Sequence, residues 1–301
     1  AAEKAGIAVL TVLDEGYPEL LRKIYDPPLV LYVRGGLKSV PAAAIVGTRK
    51  ATPYGLRTAA RLAAELAASG VAVASGLARG IDTAAHRAAV EAGGLTWAVL
   101  GAGLNQVYPW ENVKLADRIV EAGGALISEF PLDKGPLPGN FPRRNRVISG
   151  LSLATVVVEG GFESGALITA KFALDQGREV LAVPGPLDSA MSRGPNYFLK
   201  NGAGLAENAA DIVACFPPEY LFGLKPCGPG AVKSPTESVL RGLSPDALEA
   251  YNVIAAEEGG LNADEVTAKL AWQVQRAAAA LFELEISSLL ISHGGRYCRS
   301  L

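Results

Sequence analysis

Cysteine and histidine are scarce in this 301-residue chain, with Cys215, Cys227 and Cys298 the only thiols and His86 and His293 the only imidazoles. Three widely spaced thiols exclude a disulfide framework or a four-thiolate zinc site within one chain, and fit a reducing cytoplasm. Two histidines are too few for a histidine-rich metal centre or a histidine-dependent hydrolase. Net charge is also nearly absent, 28 basic against 30 acidic residues, so the surface as a whole is not built to coat a polyanion or a membrane. No apolar run reaches the ~18 residues of a membrane helix, and the N-terminus lacks the basic-then-apolar order of a signal peptide. A cytoplasmic location with no membrane partner is expected. What the chain does have is apolar residues, half of the total, enough for one large α/β domain and a small one.

Charge is placed unevenly. Between Arg22 and Arg61 eight basic residues meet one acid, Asp26, and between Lys134 and Arg146 four basic residues meet none. Ser244 to Leu301 holds eight acids and four bases, so this end repels polyanions.

From Pro41 to about Phe216 short apolar runs alternate with longer amphipathic segments, the pattern of βα units building a parallel sheet. The expected strands are 42–46, 71–74, 96–100, 125–128, 154–158 and 179–183, without strict alternation because both faces of such a sheet are covered. Thr52 and Pro53 mark the start of the first helix and Gly70 its end. Residues 1–40 are expected to be an N-terminal remnant with one extra strand near Leu29 to Val33. The Pro- and Gly-rich stretch 217–240 reads as a linker, and 241–301 as a small domain with the helix and strand order of a winged helix. The fold class is therefore α/β, an extended Rossmann-like parallel sheet followed by a winged helix.

In an open parallel sheet ligands bind beyond the C-terminal strand ends, where this chain reads Gly47-Thr48-Arg49, Ser75-Gly76 through Arg79-Gly80, Gly101-Ala102-Gly103, Glu129, Glu159-Gly160-Gly161 and Pro184-Gly185. Glycines there let backbone amides approach an anion such as phosphate, though glycine is also ordinary turn chemistry. Gly101-Ala102-Gly103 lacks the third glycine and the acidic ribose partner of a dinucleotide fingerprint, so no NAD and no other cofactor is expected. Asp82 and His86 share one helical face, where the aspartate caps or orients the imidazole, and a structural role is favoured over a catalytic one. Glu159 and the helix start Ser164-Gly165 fit either a cap or a catalytic group.

The most informative run is Asn140-Phe141-Pro142-Arg143-Arg144-Asn145-Arg146, at an expected helix start. Cations there oppose the helix dipole by a few tenths to about 1 kcal/mol each, which points to an external anion. Helical spacing puts Arg143 and Arg146 on one face and leaves Arg144 to brace the core near Ile148 and Leu151. With Phe141 as a stacking ring, the combination suits single-stranded nucleic acid, set against a core-packed aromatic with surface arginines.

Taken together, Ile45-Val46-Gly47-Thr48-Arg49, Ser75 to Asp82 with Ala85-His86, Tyr108-Pro109, Ser128-Glu129, Phe141 to Arg146, Ser164-Gly165 with Thr169-Ala170, and Pro184-Gly185 resemble the DprA/Smf family of DNA-processing proteins over about 175 residues. The resemblance implies a homodimeric, nonenzymatic protein that binds single-stranded DNA in a basic pocket, protects incoming DNA and helps load RecA recombinase during transformation. Carried over by position, the implied DNA contacts are Gly47, Thr48, Arg49, Arg79, Phe141, Arg143, Arg144, Asn145, Arg146 and Lys171. Ser75, Gly76, Asp82, His86, Glu159, Ser164 and Gly165 would shape the pocket. The chain departs from the family pattern at Ala166, where a second serine is common, at Phe198, and at Ser287 and Ser288. Two alternatives remain at this point: a nucleotide-acting enzyme of the lysine-decarboxylase-like phosphoribohydrolase type using Glu159, and a regulator reading duplex DNA through the winged helix.

Overall fold

The strands form where the chain has apolar runs because helices cover both faces of the sheet. In β6 (Ala125–Ser128), Ala125 and Ile127 join the layer that holds Val147 and Leu151, whereas Leu126 joins the layer of Leu115 and Ile119. Alternate side chains thus enter different cores that are both apolar, and no polar alternation survives in the sequence. The computed structural model describes residues 6–225, 243–257, 260–287, 289–293 and 295–299.

The chain divides into two compact units, Ala1–Cys215 and Phe216–Leu301. The first is built on a nine-stranded sheet in the order β1-β2-β6-β5-β4-β3-β7-β8-β9. Here β3 is Ala42–Val46, β4 Ala72–Ser75, β5 Thr96–Val99, β7 Ala154–Val157, β8 Glu179–Ala182 and β9 Gly204–Leu205. All of these run parallel with β6. The extra strand expected near residue 30 is β2 (Val30–Gly35), antiparallel to β6, and it carries a further antiparallel strand, β1 (Ile7–Thr11). Of β1 only Ile7 is buried, so its apolar signal is weak.

Between the strands lie α2 (Pro53–Ala68), α3 (Ile81–Glu91), α4 (Val113–Glu121), α5 (Asn140–Gly150) and α6 (Gly165–Asp175), with α1 (Glu19–Arg22) before β2. The start of α2 follows its sequence signals: Thr52 caps it by accepting from the Gly55 N–H, and Pro53 occupies the first turn. Strand order reverses at β3, which has β4 on one side and β7 on the other. In such sheets that reversal opens the ligand crevice.

The second unit contains helices Pro245–Ala255, Ala263–Leu270 and Val274–Ile286 and a three-stranded antiparallel sheet of Leu261–Asn262, Arg296–Arg299 and Leu290–His293. Tyr251, Ile254, Val266, Leu281 and Leu284 form its core. Residues 226–240 of the expected linker lie outside the described residues. Among the described residues no helix is long and apolar enough to cross a membrane, and no cluster of His, Cys, Asp or Glu could hold a metal.

Candidate functional site

A groove of about 990 Å3 opens at the strand-order reversal, between the loops that follow β3 and β7. Gly47, Thr48, Arg49 and Lys50 form one wall, and Gly161 with the start of α6, Ser164 and Gly165, forms another. The Thr48 N–H donates to the Glu159 carbonyl at 2.8 Å, which ties the two loops together. Ser164 caps α6 through its Oγ, which accepts from the Ala166 N–H at 3.3 Å.

Phe141 enters the groove from the first turn of α5. The Arg49 guanidinium lies over its ring at 5.3 Å from the centroid, and the Tyr108 ring packs beside it at 5.9 Å, tilted by 49°. The position of the ring depends on Gly101, where a Cβ would come within 2.8 Å of Phe141 Cδ1. The glycine that resembled part of a dinucleotide fingerprint therefore makes room for an aromatic side chain.

Beneath the groove sits a buried polar floor. Arg144, 4% exposed, donates through Nη1 to the carbonyls of Gly76 and Val99, and through Nε to Asn145 Oδ1 at 3.2 Å. Asn145 Nδ2 continues to the Gly165 carbonyl. These bonds join the ends of β4 and β5 to the start of α6, so the braced partners of Arg144 are carbonyls rather than the apolar neighbours expected on its own helix. Burial lowers the pKa of Arg144 to about 10, against the favourable field of Asp82, and it stays cationic at neutral pH.

Asp82 accepts from the N–H groups of Gly76 and Ala78 at 3.1 and 3.3 Å. Burial raises its pKa, with Arg144 acting in opposition. His86 is oriented by other groups: Nε2 accepts from the Leu77 N–H, and Nδ1 faces Thr96 Oγ1 at 2.6 Å. Burial brings its pKa down to about 3, so the ring is neutral. Ser75 is consumed within the sheet, its Oγ donating to the Ile45 carbonyl.

Several expected residues do not line the groove. Arg143 and Arg146 do share a face, but it is turned to Glu129, at 3.4 and 2.8 Å. Arg146 is buried and also meets Asp26 at 3.1 Å, so the anion that offsets these cations is internal. Arg79 is held by Glu111, and Lys171 stands exposed on α6 beyond the lining. Glu159 turns away, accepting from the backbone N–H and the hydroxyl of Thr52 at the start of α2. Sequence reasoning passed over Lys50 and Tyr108 as site residues, although Lys50 adjoins Arg49 and Tyr108-Pro109 stood among the matching motifs.

The profile of the family described as DNA recombination-mediator protein A matches residues 8–217. Protein Smf of Escherichia coli is 40% identical over 292 residues, covering 95% of this chain and 75% of that protein. DNA processing protein DprA of Bacillus subtilis is 41% identical over 215 residues, covering 70% of this chain and 72% of that protein. Among solved structures, DprA of Streptococcus pneumoniae superposes with a TM-score of 0.66 at 38% identity, covering 70% of this chain and 75% of that one. DprA of Helicobacter pylori, described for its single-stranded DNA binding mode, superposes at 0.61 with 29% identity, covering 69% and 94%.

Proposed function

The chain belongs to the DNA recombination-mediator protein A family, and from that premise we propose that the groove between β3 and β7 binds single-stranded DNA. The observation that carries this reading is the stack of Arg49 on Phe141 within one groove. A single strand offers base faces and phosphates side by side. Phe141 and Tyr108 supply rings for the bases, at about 1–3 kcal/mol per stacked base. Arg49, Lys50 and the amides of their loop supply positive charge for the backbone. Duplex DNA hides its base faces, so the aromatic pair favours single strands.

On this reading the protein is a mediator rather than an enzyme. The family resemblance supports a cytoplasmic homodimer that protects incoming single strands and helps load RecA recombinase onto them. The unit from Phe216 onward would be a winged helix that serves contacts other than DNA, in keeping with its acidic balance. The hydrolytic alternative needs a carboxylate facing a nucleotide, whereas both Glu159 oxygens are engaged by Thr52.

Titrating a short oligonucleotide with the full chain at several salt concentrations tests the proposal. Log K is expected to fall linearly with log salt concentration. Affinity indifferent to salt, or release of base from a nucleoside monophosphate that Glu159→Gln abolishes, overturns it.

A further inference from the structure

Resting on that reading, we propose that the bound strand leaves the main groove across the Thr48 to Lys50 loop and sets a further phosphate in a second basic cavity, against Arg87 of α3. This cavity measures about 380 Å3 and shares Arg49 and Lys50 with the main groove, so the two have a common wall. Arg87, Thr83, Gly80 and Leu56 complete the part of the lining that matters here. Three of the lining side chains are cations, and neither an acid nor an aromatic ring is among them.

A surface selected only for solubility intersperses both signs of charge. The chain does so nearby, pairing Arg79 with Glu111, Arg61 with Glu65 and Arg118 with Glu91. Arg49, Lys50 and Arg87 are exposed, and none of them makes an ion pair among the described residues. Their mutual repulsion is uncompensated until an anion arrives. The Thr83 hydroxyl is already engaged, donating to the Ala78 carbonyl at 2.6 Å and accepting from Asn112 Nδ2 at 2.8 Å. Recognition in this cavity is therefore by charge, which suits a phosphodiester and reads no base.

The path follows from the main groove. Its α6 side carries the exposed Glu163, and its β3 side carries Arg49 and Lys50. A polyanionic backbone runs along the β3 side, and the shared wall makes the second cavity its next station.

The test is a set of oligothymidylates of increasing length, titrated with the full chain and with Arg87→Ala, Arg87→Lys and Lys38→Ala. Lys38 is an exposed cation that precedes β3, whereas the groove opens beyond the other end of that strand. Arg87→Ala is expected to bind the shortest oligomers as the wild type does. On longer ones it loses roughly two- to fivefold at low salt, with a salt slope flatter by about 0.7. Arg87→Lys restores most of both. If Arg87→Ala matches Lys38→Ala at every length, or weakens short and long oligomers alike, the second subsite does not exist. If the wild type binds no oligomer, the reading of the main groove itself fails.

Discussion

Arg144 Nη1 donates a 2.7 Å hydrogen bond to the Gly76 carbonyl, and a Cβ added at Gly76 would fall 2.6 Å from Nη2 of the same guanidinium. The loop after β4 and the first turn of α5 are thus fitted to each other. The guanidinium is buried and bonded on several sides, so it has no room to swing aside. Gly76→Ala is expected to displace it from both carbonyls and to cost about 1–3 kcal/mol. Denaturant melts check this, with Gly139→Ala as the control, since a Cβ there meets nothing within 4 Å.

The buried imidazole makes stability depend on pH. Nε2 of His86 accepts from Leu77, so the ring proton sits on Nδ1 and faces Thr96 Oγ1, which donates onward to the Val73 carbonyl. With a folded pKa of about 3, His86 binds its proton only after unfolding at mildly acid pH. Below about pH 6.5 the unfolded state holds more protons, and stability falls as pH falls. Between pH 6.5 and 5 the loss reaches about 2 kcal/mol. Asp82, raised by burial, contributes with the opposite sign, its share of stability being lost as pH rises through its folded pKa. Comparing His86→Gln with the wild type isolates the histidine, because Asp82 is present in both. The variant is expected to show a smaller loss between pH 7 and 5, and an equal loss would place the titration elsewhere.

Much of the fold was legible because its causes are local. Thr52, Pro53 and Gly70 mark the ends of α2 by their own backbone chemistry, and the strands are runs of apolar residues because both faces are covered. The site was only half legible because its decisive contacts are distant in sequence. Three arginines at a helix start call for an anion, but nothing near Arg146 says that Glu129 and Asp26 will supply it, 17 and 120 residues away. Glu159 reads as a strand-end acid in a crevice until its partner, Thr52, is found 107 residues earlier. The reversal of strand order at β3, which puts Arg49 opposite Ser164, is a property of the sheet and of no single motif.

Arg146 and Glu129 form a buried ion pair, their side chains 9% and 7% exposed. Removing one partner leaves the other charge without compensation in a low-dielectric setting, so Glu129→Leu and Arg146→Met are each expected to cost about 3–5 kcal/mol. The double variant Arg146→Met with Glu129→Leu should cost less than the sum, since no unpaired charge remains. A thermal-denaturation cycle over the four proteins measures the coupling. Purely additive losses would show that the pair contributes nothing as a pair.

Arg49 and Phe141 touch each other but are assigned to different parts of a DNA strand, and salt separates their roles. Arg49→Ala removes one phosphate contact, so the slope of log K against log salt should flatten by about 0.7. Phe141→Ala removes a stacking face, so affinity should drop by about 1–3 kcal/mol at every salt concentration with the slope unchanged. Phe141→Tyr keeps a ring over Gly101 and should retain most of the affinity. A slope that flattens as much in Phe141→Ala as in Arg49→Ala would mean that the ring only holds the guanidinium in place. In that case the 5.3 Å contact is a support for the cation, and the bases stack on Tyr108 or not at all.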